Sequence, residues 1–304
     1  MSSTRSTFLA AALALLAACG DAGAGGAADA AVDSDVPDGW SLLLAGDWML
    51  NPGGERYYCV YVTVPRDLYV KAFRPINPEG THHTVLTRYD GPVPDGTYTC
   101  TALTNGQDMI YGSGVGSPDF VFPTGVGMHL TAGTRLLLNL HLYNVSDQPL
   151  RGRSGTLFQE AAAAEIEHLG ELVLAGPTSG LTVPPGTSTQ SGSCGLSRFA
   201  SEPIQVFAVA SHMHKLGRHM RSVVRRGGQD LVLQDTPYEF EHQDFRRLTP
   251  AVELRPTDVL TTYCSYDNQT GDTVTFGDSS DDEMCFTELF YYPAQRANFL
   301  CTDL

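Results

Sequence analysis

The segment IQVFAVASHMH, residues 204–214, predicts a buried β-strand that ends in two histidines. Alternate residues of a strand point to the same face, so His212 and His214 can converge on one metal ion. The residues at positions 206, 208 and 210 are apolar and extend the same face back along the strand. Taken alone, a His-x-His pair is more often two surface or hydrogen-bonded histidines than a metal site.

Residues 58–63 and 136–143 are also rich in residues that favour strands and are bounded by glycine or proline, so they are predicted to be strands as well. With 31 glycines and 18 prolines in 304 residues, the chain is predicted to be a turn-rich all-β protein. A connector-like composition at residues 176–186 predicts two domains, residues 40–172 and 173–304. An alanine-rich stretch at residues 160–169 favours helix by propensity and is left open.

The charge composition excludes one broad class of function. The chain has 19 Lys+Arg against 34 Asp+Glu, a formal net charge of −15. A nucleic-acid-binding protein needs a basic face to displace counterions from phosphates, so nucleic acid is not an expected partner. The sequence also lacks a glycine-rich phosphate loop, a nucleophile elbow and an H-E-x-x-H motif.

The N-terminus predicts export and a membrane anchor. Residues 1–19 contain one charge, Arg5, and an apolar run at 8–18 that is too short to span a bilayer, which is typical of a signal peptide. The run ends in Ala-Ala-Cys19-Gly, a lipobox-like pattern that predicts lipidation of Cys19. An ordinary signal peptide that happens to end in cysteine is the alternative. Residues 20–39, rich in Gly, Ala and Asp, predict a flexible acidic linker to a body on the periplasmic or cell-surface side.

Further candidate ligands are found outside the His-x-His pair. His82 and His83 are adjacent, so they can share a metal only at a strand end or bulge, or if one binds through Nδ1 and the other through Nε2. His141 lies within a predicted strand and by itself indicates a half-buried histidine. Met284 follows an acidic run, residues 281–283, of a kind that is usually a solvated loop. A thioether prefers Cu(I), so two imidazoles and Met284 would make a copper site with an open position.

Four motifs in a fixed order carry a resemblance to a known family. They are GTHHTVL at 80–86, GVG at 125–127 through LHLY at 140–143, VFA at 206–208 through HMHKLG at 212–217, and DEMC at 282–285 through YYP at 291–293. Together, over roughly residues 55–295, they resemble the copper type II ascorbate-dependent monooxygenases.

This resemblance implies a fold and a chemistry. The implied fold is two jelly-roll-like antiparallel β-sandwich domains with a copper-lined cleft between them. The implied cofactors are two copper ions per chain, with ascorbate or a similar reductant as co-substrate and O₂ and a small organic molecule as the reacting partners. The N-terminal, electron-transferring copper is matched by His82, His83 and His141. The C-terminal copper, at which O₂ binds and a C–H bond is hydroxylated, is matched by His212, His214 and Met284.

The chain has seven cysteines, and lipidation of Cys19 leaves six, which allow fifteen pairings. No C-x-x-C spacing occurs among them, so zinc binding is a poor alternative to disulfides. The family pattern implies the pairs Cys59–Cys100, Cys194–Cys301 and Cys264–Cys285. The last pair would brace the loop that holds Met284, and six half-cystines agree with an oxidising compartment.

Departures from the family pattern bear on the substrate. Peptide-amidating members hold a substrate carboxylate with Arg, Asn and Tyr, and the matching positions here are Ala210, Phe286 and Glu288. Peptide amidation is therefore not expected, and Glu288 either pairs with a cationic amine or is solvated and selects nothing. The function hypothesis is a copper monooxygenase acting on a small organic substrate. A non-catalytic copper-binding lipoprotein is the alternative, and an adhesion module would leave the ordered His and Met motifs unexplained.

Overall fold

The computed structural model describes residues 36–277, 279–295 and 299–302. The signal peptide, Cys19 and most of the acidic linker lie outside these residues. Asp38–Leu304 is one compact unit. Its described part is built from strands, without an α-helix, and the alanine-rich stretch forms only a short 3₁₀ turn at Ala163–Glu165, with a second such turn at Leu196–Arg198. None of the described residues forms a helix long and apolar enough to cross a membrane.

Eleven strands precede Gly170 and are called the N-terminal half: β1 (Ser41–Leu50), β2 (Glu55–Thr63), β3 (Leu68–Ile76), β4 (Thr81–Arg88), β5 (Gly96–Thr99), β6 (Asp108–Gly114), β7 (Phe120–Val121), β8 (Val126–Leu130), β9 (Arg135–Tyr143), β10 (Leu150–Glu160) and β11 (His168–Leu169). One sheet has the order β1-β10-β3-β8-β11, with β7 also paired to β3. The other has the order β5-β2-β9-β4-β6. Their inner faces meet in a shared core that includes Phe73 and Leu130 from the first sheet and Val60 and Leu138 from the second.

Eleven more strands follow and are called the C-terminal half: β12 (Glu171–Ala175), β13 (Thr182–Val183), β14 (Gly186–Gly195), β15 (Ile204–Met213), β16 (Gly217–Arg226), β17 (Gln229–Pro237), β18 (Arg246–Leu254), β19 (Val259–Asn268), β20 (Val274–Thr275), β21 (Cys285–Tyr292) and β22 (Leu300–Cys301). A sheet of order β18-β15-β21-β12-β22 packs on a sheet of order β14-β19-β16-β17, and β13 and β20 form a separate ribbon. The core between them includes Val209 and Leu289 on one side and Val224 and Leu260 on the other.

Each half is therefore a β-sandwich type arrangement, and the expected all-β class is confirmed. Strands of the N-terminal half pair with each other, and strands of the C-terminal half do the same. β11 is the last strand to pair within the N-terminal half, and β12 is the first to pair within the C-terminal half. The division into separate domains at residue 172 and the jelly-roll topology stay predictions.

A β-bulge in β15 changes which residues share a face. Val206 pairs with Tyr291 and Ala208 with Phe290, so Phe207 is an extra residue in the strand. Val206 packs inside the C-terminal half, whereas Ala208 faces the N-terminal half. The prediction that positions 206 and 208 lie on one face with the histidines is therefore wrong at 206, because one inserted residue reverses the alternation.

The two halves contact each other through an aromatic cluster. The ring centroids of Phe120 and Phe290 are 4.2 Å apart, and those of Phe122 and Phe207 are 5.8 Å apart. Phe245 adds a contact to Phe120 at 5.3 Å. Burying one phenylalanine contributes about 1.5–3 kcal/mol, so this apolar contact stabilises the packing of the halves against each other.

Candidate metal centres

Three of the predicted ligands meet where β4 and β9 pair. His83 and His141 face each other as a cross-strand pair. A register shift between Thr81 and His83 makes His82 the extra residue of a β-bulge. The bulge allows adjacent histidines to turn toward one point, which a regular strand forbids. The structure thus provides one of the conditions under which two adjacent histidines can share a metal.

These residues, named here the three-His cluster, converge through their Nδ1 atoms. The Nδ1 atom of His83 is 3.0 Å from that of His82 and 3.4 Å from that of His141. Their ligand atoms all lie within 4.8 Å of one another. In this structure both adjacent histidines turn Nδ1 toward the centre of the cluster.

The surroundings keep the three-His cluster neutral. Burial lowers the pKa of His83 well below its usual range, and the neighbouring His141 and His82 lower it further. Burial also lowers the pKa of His82 and His141. A neutral imidazole has a free lone pair, and three of them suit copper or zinc. The donor set therefore fits the metal that the resemblance implies.

The outer nitrogens of two of these histidines face carboxylates. His141 Nε2 is 2.6 Å from Glu55 Oε1, and the ring stacks on Tyr57 with centroids 4.4 Å apart. His82 Nε2 is 3.2 Å from Glu241 Oε2, although the two are not aligned as a hydrogen bond. Glu241 belongs to the C-terminal half, so the surroundings of the three-His cluster draw on both halves.

The His-x-His pair lies at the end of β15, with ring centroids 5.5 Å apart. His212 Nδ1 is 2.9 Å from Gln243 Oε1, and His214 Nδ1 is 3.2 Å from the Asp282 carbonyl oxygen. A ring that donates from Nδ1 has its lone pair on Nε2, so Nε2 of each ring is the atom that could bind a metal. Burial lowers the pKa of both histidines, to about 3 for His214.

The third predicted ligand of this site, Met284, is half-buried and lies immediately before β21. The Tyr266 hydroxyl donates a hydrogen bond of 2.8 Å to the Met284 carbonyl oxygen. The Glu283 carboxylate accepts hydrogen bonds from the backbone N–H groups of His214 at 3.0 Å, Leu216 at 2.8 Å and Met284 at 3.3 Å. Glu283 therefore ties the methionine segment to the histidine segment.

Sequence reasoning missed Glu283. It assigned the acidic run at 281–283 to a solvated loop, whereas Glu283 is fully buried and burial raises its pKa to about 7. The signal in the sequence is weak, since only its position directly before Met284 sets it apart from Asp281 and Asp282. Gln243, Glu55 and Glu241 were also missed, because nothing local connects them to the histidines.

The structure contains the three disulfides that the resemblance implies: Cys59–Cys100, Cys194–Cys301 and Cys264–Cys285. The last joins β19 to the first residue of β21, directly after Met284. Disulfides of this kind indicate an oxidising compartment.

A cavity of about 230 Å³ lies between the two halves. Its lining includes His83 and Asn139 from the N-terminal half and His212, His214, Met284 and Glu288 from the C-terminal half. The centroid of the Phe240 ring is 4.5 Å from that of the His82 ring and 6.4 Å from that of the His214 ring. One member of the three-His cluster thus lines the same cavity as the complete His-Met set.

Glu288 lies on the wall of this cavity and is only 6 % exposed. Within the described part of the chain it accepts no hydrogen bond, and His212 Nδ1 lies 4.0 Å from its Oε1 atom. Burial raises the pKa of Glu288 to about 7. The interpretation of Glu288 as a solvated side chain is therefore wrong, while its contact with a substrate stays a prediction.

The other four histidines have separate contacts. These are Tyr69 stacked on His129, Tyr292 stacked on His168, Asp235 beside His219 and Glu239 beside His242.

Comparison with known proteins agrees with the geometry. A family model for the C-terminal domain of copper type II ascorbate-dependent monooxygenases matches residues 170–303. Mouse DBH-like monooxygenase protein 2 is 26 % identical over 86 % of this chain and 47 % of its own length. Human DBH-like monooxygenase protein 1 is 31 % identical over 67 % of this chain and 35 % of its own length. Horse dopamine beta-hydroxylase is 26 % identical over 81 % of this chain and 45 % of its own length.

The chain thus spans about half, or less, of the length of these relatives. Among solved structures, latent PorU from Porphyromonas gingivalis aligns with 80 % of this chain and 25 % of its own, at 11 % identity and a TM-score of 0.19, which is too weak to bear on the fold. The matched C-terminal domain, the relatives and the motif order together agree on one assignment. The chain belongs to the copper type II ascorbate-dependent monooxygenase family.

Proposed function

We propose that this protein is an exported copper monooxygenase that hydroxylates a C–H bond of a small organic substrate. One atom of O₂ enters the C–H bond and the other leaves as water. Two electrons and two protons complete the balance, and the electrons come singly from an external reductant such as ascorbate. The observation that supports the proposal most is that His83, His212, His214 and Met284 line a single cavity between the two halves.

Two coppers would have different roles in this scheme. The three-His cluster would hold the copper that stores an electron, and His212, His214 and Met284 would hold the copper at which O₂ and substrate meet. Bound copper supplies one-electron redox chemistry and, at the second site, an affinity for O₂ in the Cu(I) state that the thioether favours. The cleft implied by the resemblance corresponds in this proposal to the cavity between the halves.

The protein's own groups prepare these sites. Gln243 and the Asp282 carbonyl hold the rings of His212 and His214 by their Nδ1 atoms, which fixes the direction of each Nε2 lone pair. Glu283 fixes the backbone on which Met284 is carried. The cavity walls are largely apolar, with Phe286 and Phe245 among them, and they limit the water that reaches the reacting C–H bond.

The cavity also suggests a substrate class, a compound that carries a cationic amine. A buried carboxylate without a hydrogen-bond donor is costly, and an ammonium group would relieve that cost at Glu288. Glu288→Gln should raise KM for primary amines about tenfold or more, since hydrogen bonds to charged groups contribute about 1.5–3 kcal/mol. KM for the matching neutral alcohols should stay near the parent value. Equal changes for amines and alcohols would remove Glu288 from substrate selection.

We also propose that Cys19 is the lipid-bearing residue and attaches the protein to a membrane. The support is the lipobox-like pattern in the sequence. Metabolic labelling with a fatty acid in a lipoprotein-processing bacterial host should mark the parent protein and leave Cys19→Ala unmarked.

The central test is reductant-dependent O₂ uptake by the copper-loaded protein, with ascorbate and a panel of amines and neutral analogues. Met284→His distinguishes the enzyme from a non-catalytic copper-binding protein. In an enzyme the variant still binds copper, through a third imidazole, but loses hydroxylated product. A copper buffer would show no substrate-dependent O₂ uptake in the parent. Met49→His, which changes an exposed methionine of β1, serves as the matched control.

A further inference from the structure

We propose that Glu55 and Glu241 are positioning residues of the three-His cluster, and that Glu241 makes this site depend on the C-terminal half. The inference rests on the proposed function in one respect, that the three-His cluster binds copper. It concerns two carboxylates that contact the outer nitrogens of ligand histidines.

The rings of His82 and His141 turn their outer nitrogens toward carboxylates. His82 and His141 turn Nδ1 toward His83, at 3.0 and 3.4 Å, so their Nε2 atoms point away from the centre of the cluster. A carboxylate oxygen lies at each of these outer atoms, Glu55 Oε1 at 2.6 Å and Glu241 Oε2 at 3.2 Å. The Glu241 side chain is 62 % exposed, so it is free to rotate into hydrogen-bond alignment.

The effect of such a carboxylate follows from imidazole chemistry. A carboxylate that accepts a hydrogen bond from Nε2–H selects the tautomer whose lone pair is on Nδ1. It also fixes the ring orientation and makes the ligand nitrogen more basic. Both outcomes favour a metal ion at the point where the three Nδ1 atoms converge. His82 Nε2 is buried and forms no hydrogen bond in the described part of the chain, and the Glu241 carboxylate at 3.2 Å is the acceptor placed to form one.

The two carboxylates come from different halves of the chain. Glu55 is on β2, beside the β9 strand that carries His141, so both belong to the N-terminal half. Glu241 instead belongs to a short segment of the C-terminal half, residues 238–245. The same segment provides Phe240 against the His82 ring and Gln243 to His212 Nδ1. One segment therefore contacts ligands of both candidate copper sites.

This placement has a consequence that Glu55 does not share. If the C-terminal half separated from the N-terminal half, Glu241 would leave His82, while Glu55 would stay on His141. The affinity of the three-His cluster for copper is thus coupled, through Glu241, to the docking of the halves.

The experiment measures copper affinity, with no substrate present. The 304-residue protein carries His212→Ala and His214→Ala, so that the three-His cluster is the site observed. Cu(I) affinity is measured by competition with a chromophoric chelator, and the Cu(II) form is examined by electron paramagnetic resonance. Glu55→Leu and Glu241→Leu should each weaken Cu(I) binding about 10- to 100-fold and shift the Cu(II) hyperfine splitting. The corresponding Gln variants, which keep an acceptor oxygen, should lose less.

Glu239→Leu is the matched control, because Glu239 lies on the same segment and its carboxylate pairs with the exposed His242, 3.2 Å away. Its affinity and spectrum should equal those of the parent. The proposal is overturned if Glu55→Leu and Glu241→Leu bind Cu(I) as tightly as Glu239→Leu. It is equally overturned if the Leu variants lose affinity with unchanged spectra and the Gln variants recover none of it.

Failure of this proposal is distinguishable from failure of the proposed function. A parent that binds copper but hydroxylates nothing would contradict the enzyme and leave the carboxylate proposal intact. If the parent hydroxylates its substrate and the Leu variants bind copper as tightly as the parent, the carboxylate proposal is contradicted and the enzyme proposal is kept.

Discussion

The three-His cluster and the His-Met set differ in how the protein arranges their ligands. In the three-His cluster the Nδ1 atoms of His82 and His141 already lie within 3.4 Å of His83 Nδ1. In the His-Met set the Nδ1 atoms of both histidines are occupied by protein acceptors, and Nε2 is left for a ligand. The first is built on two adjacent strands of one sheet, whereas the second joins the end of β15 to the segment before β21.

The difference fits the two roles proposed above. Three imidazoles on paired strands would hold an ion with little rearrangement, which suits a site that only exchanges electrons. Two imidazoles and a thioether would leave room for O₂ on the side that faces the cavity. The second site also needs separate support from Glu283 and from Cys264–Cys285, because its ligands come from segments far apart in sequence.

The largest expected effect comes from removing one ligand of each site. His83→Ala and His212→Ala should each reduce steady-state O₂ uptake to background, and each should lose about one copper per chain. The variants should differ in the infrared band of carbon monoxide on Cu(I), which requires an open position. We expect His83→Ala to keep this band and His212→Ala to lose it. The exposed His242→Ala is the control, and a band retained in both variants would contradict the division of roles.

The next largest effect is expected from removing one disulfide in each half. The loop-closure relation gives a loss of about 3 kcal/mol in unfolding free energy for Cys264→Ser/Cys285→Ser and about 4 kcal/mol for Cys59→Ser/Cys100→Ser. Urea denaturation measures both losses. Only the first pair adjoins Met284, so only its removal should weaken Cu(I) binding at the His-Met set in chelator competition. Equal copper affinities in the two variants would show that the bridge does not brace this site.

The smallest effect is expected from Glu283→Gln. The amide offers one acceptor oxygen where the carboxylate offers two, and its NH₂ group faces a backbone donor. One buried N–H is therefore left unpaired, at a cost of about 1–3 kcal/mol in unfolding free energy. Asp281→Asn, on the exposed side of the same acidic run, should change stability by no more than about 0.5 kcal/mol. Thermal unfolding of the metal-free proteins measures both, and equal values would contradict the bridging role of Glu283.

The candidate metal ligands could be named from the sequence because they lie in local motifs. Adjacent histidines, a His-x-His pair and a methionine beside a cysteine each have a spacing that residue chemistry can interpret. The resemblance then arranged them into two sets and implied the three disulfide pairs that the structure contains. The all-β class followed from alternation and from the abundance of glycine and proline.

Other features were not predictable, for physical reasons that can be named. The bulge at Phe207 has no local signature, since Val, Phe and Ala are all acceptable in a regular strand buried on both faces. Glu283 lies in an acidic run of a kind that is usually exposed to solvent. It is buried only because β21 packs against β15. Glu241 lies 159 positions from His82, and that separation carries no local signal.

From the sequence alone came the candidate ligand types, their grouping in the chain and the expectation of an oxidising compartment for six cysteines. Those properties reside in side-chain chemistry and in spacings of a few residues. Only the tertiary structure decided that His83 shares one cavity with His212, His214 and Met284, that Glu288 is buried on its wall, and that Glu241 reaches His82. These depend on how two β-sandwich halves dock through aromatic side chains, and docking is set by the shapes of assembled surfaces that no local pattern encodes.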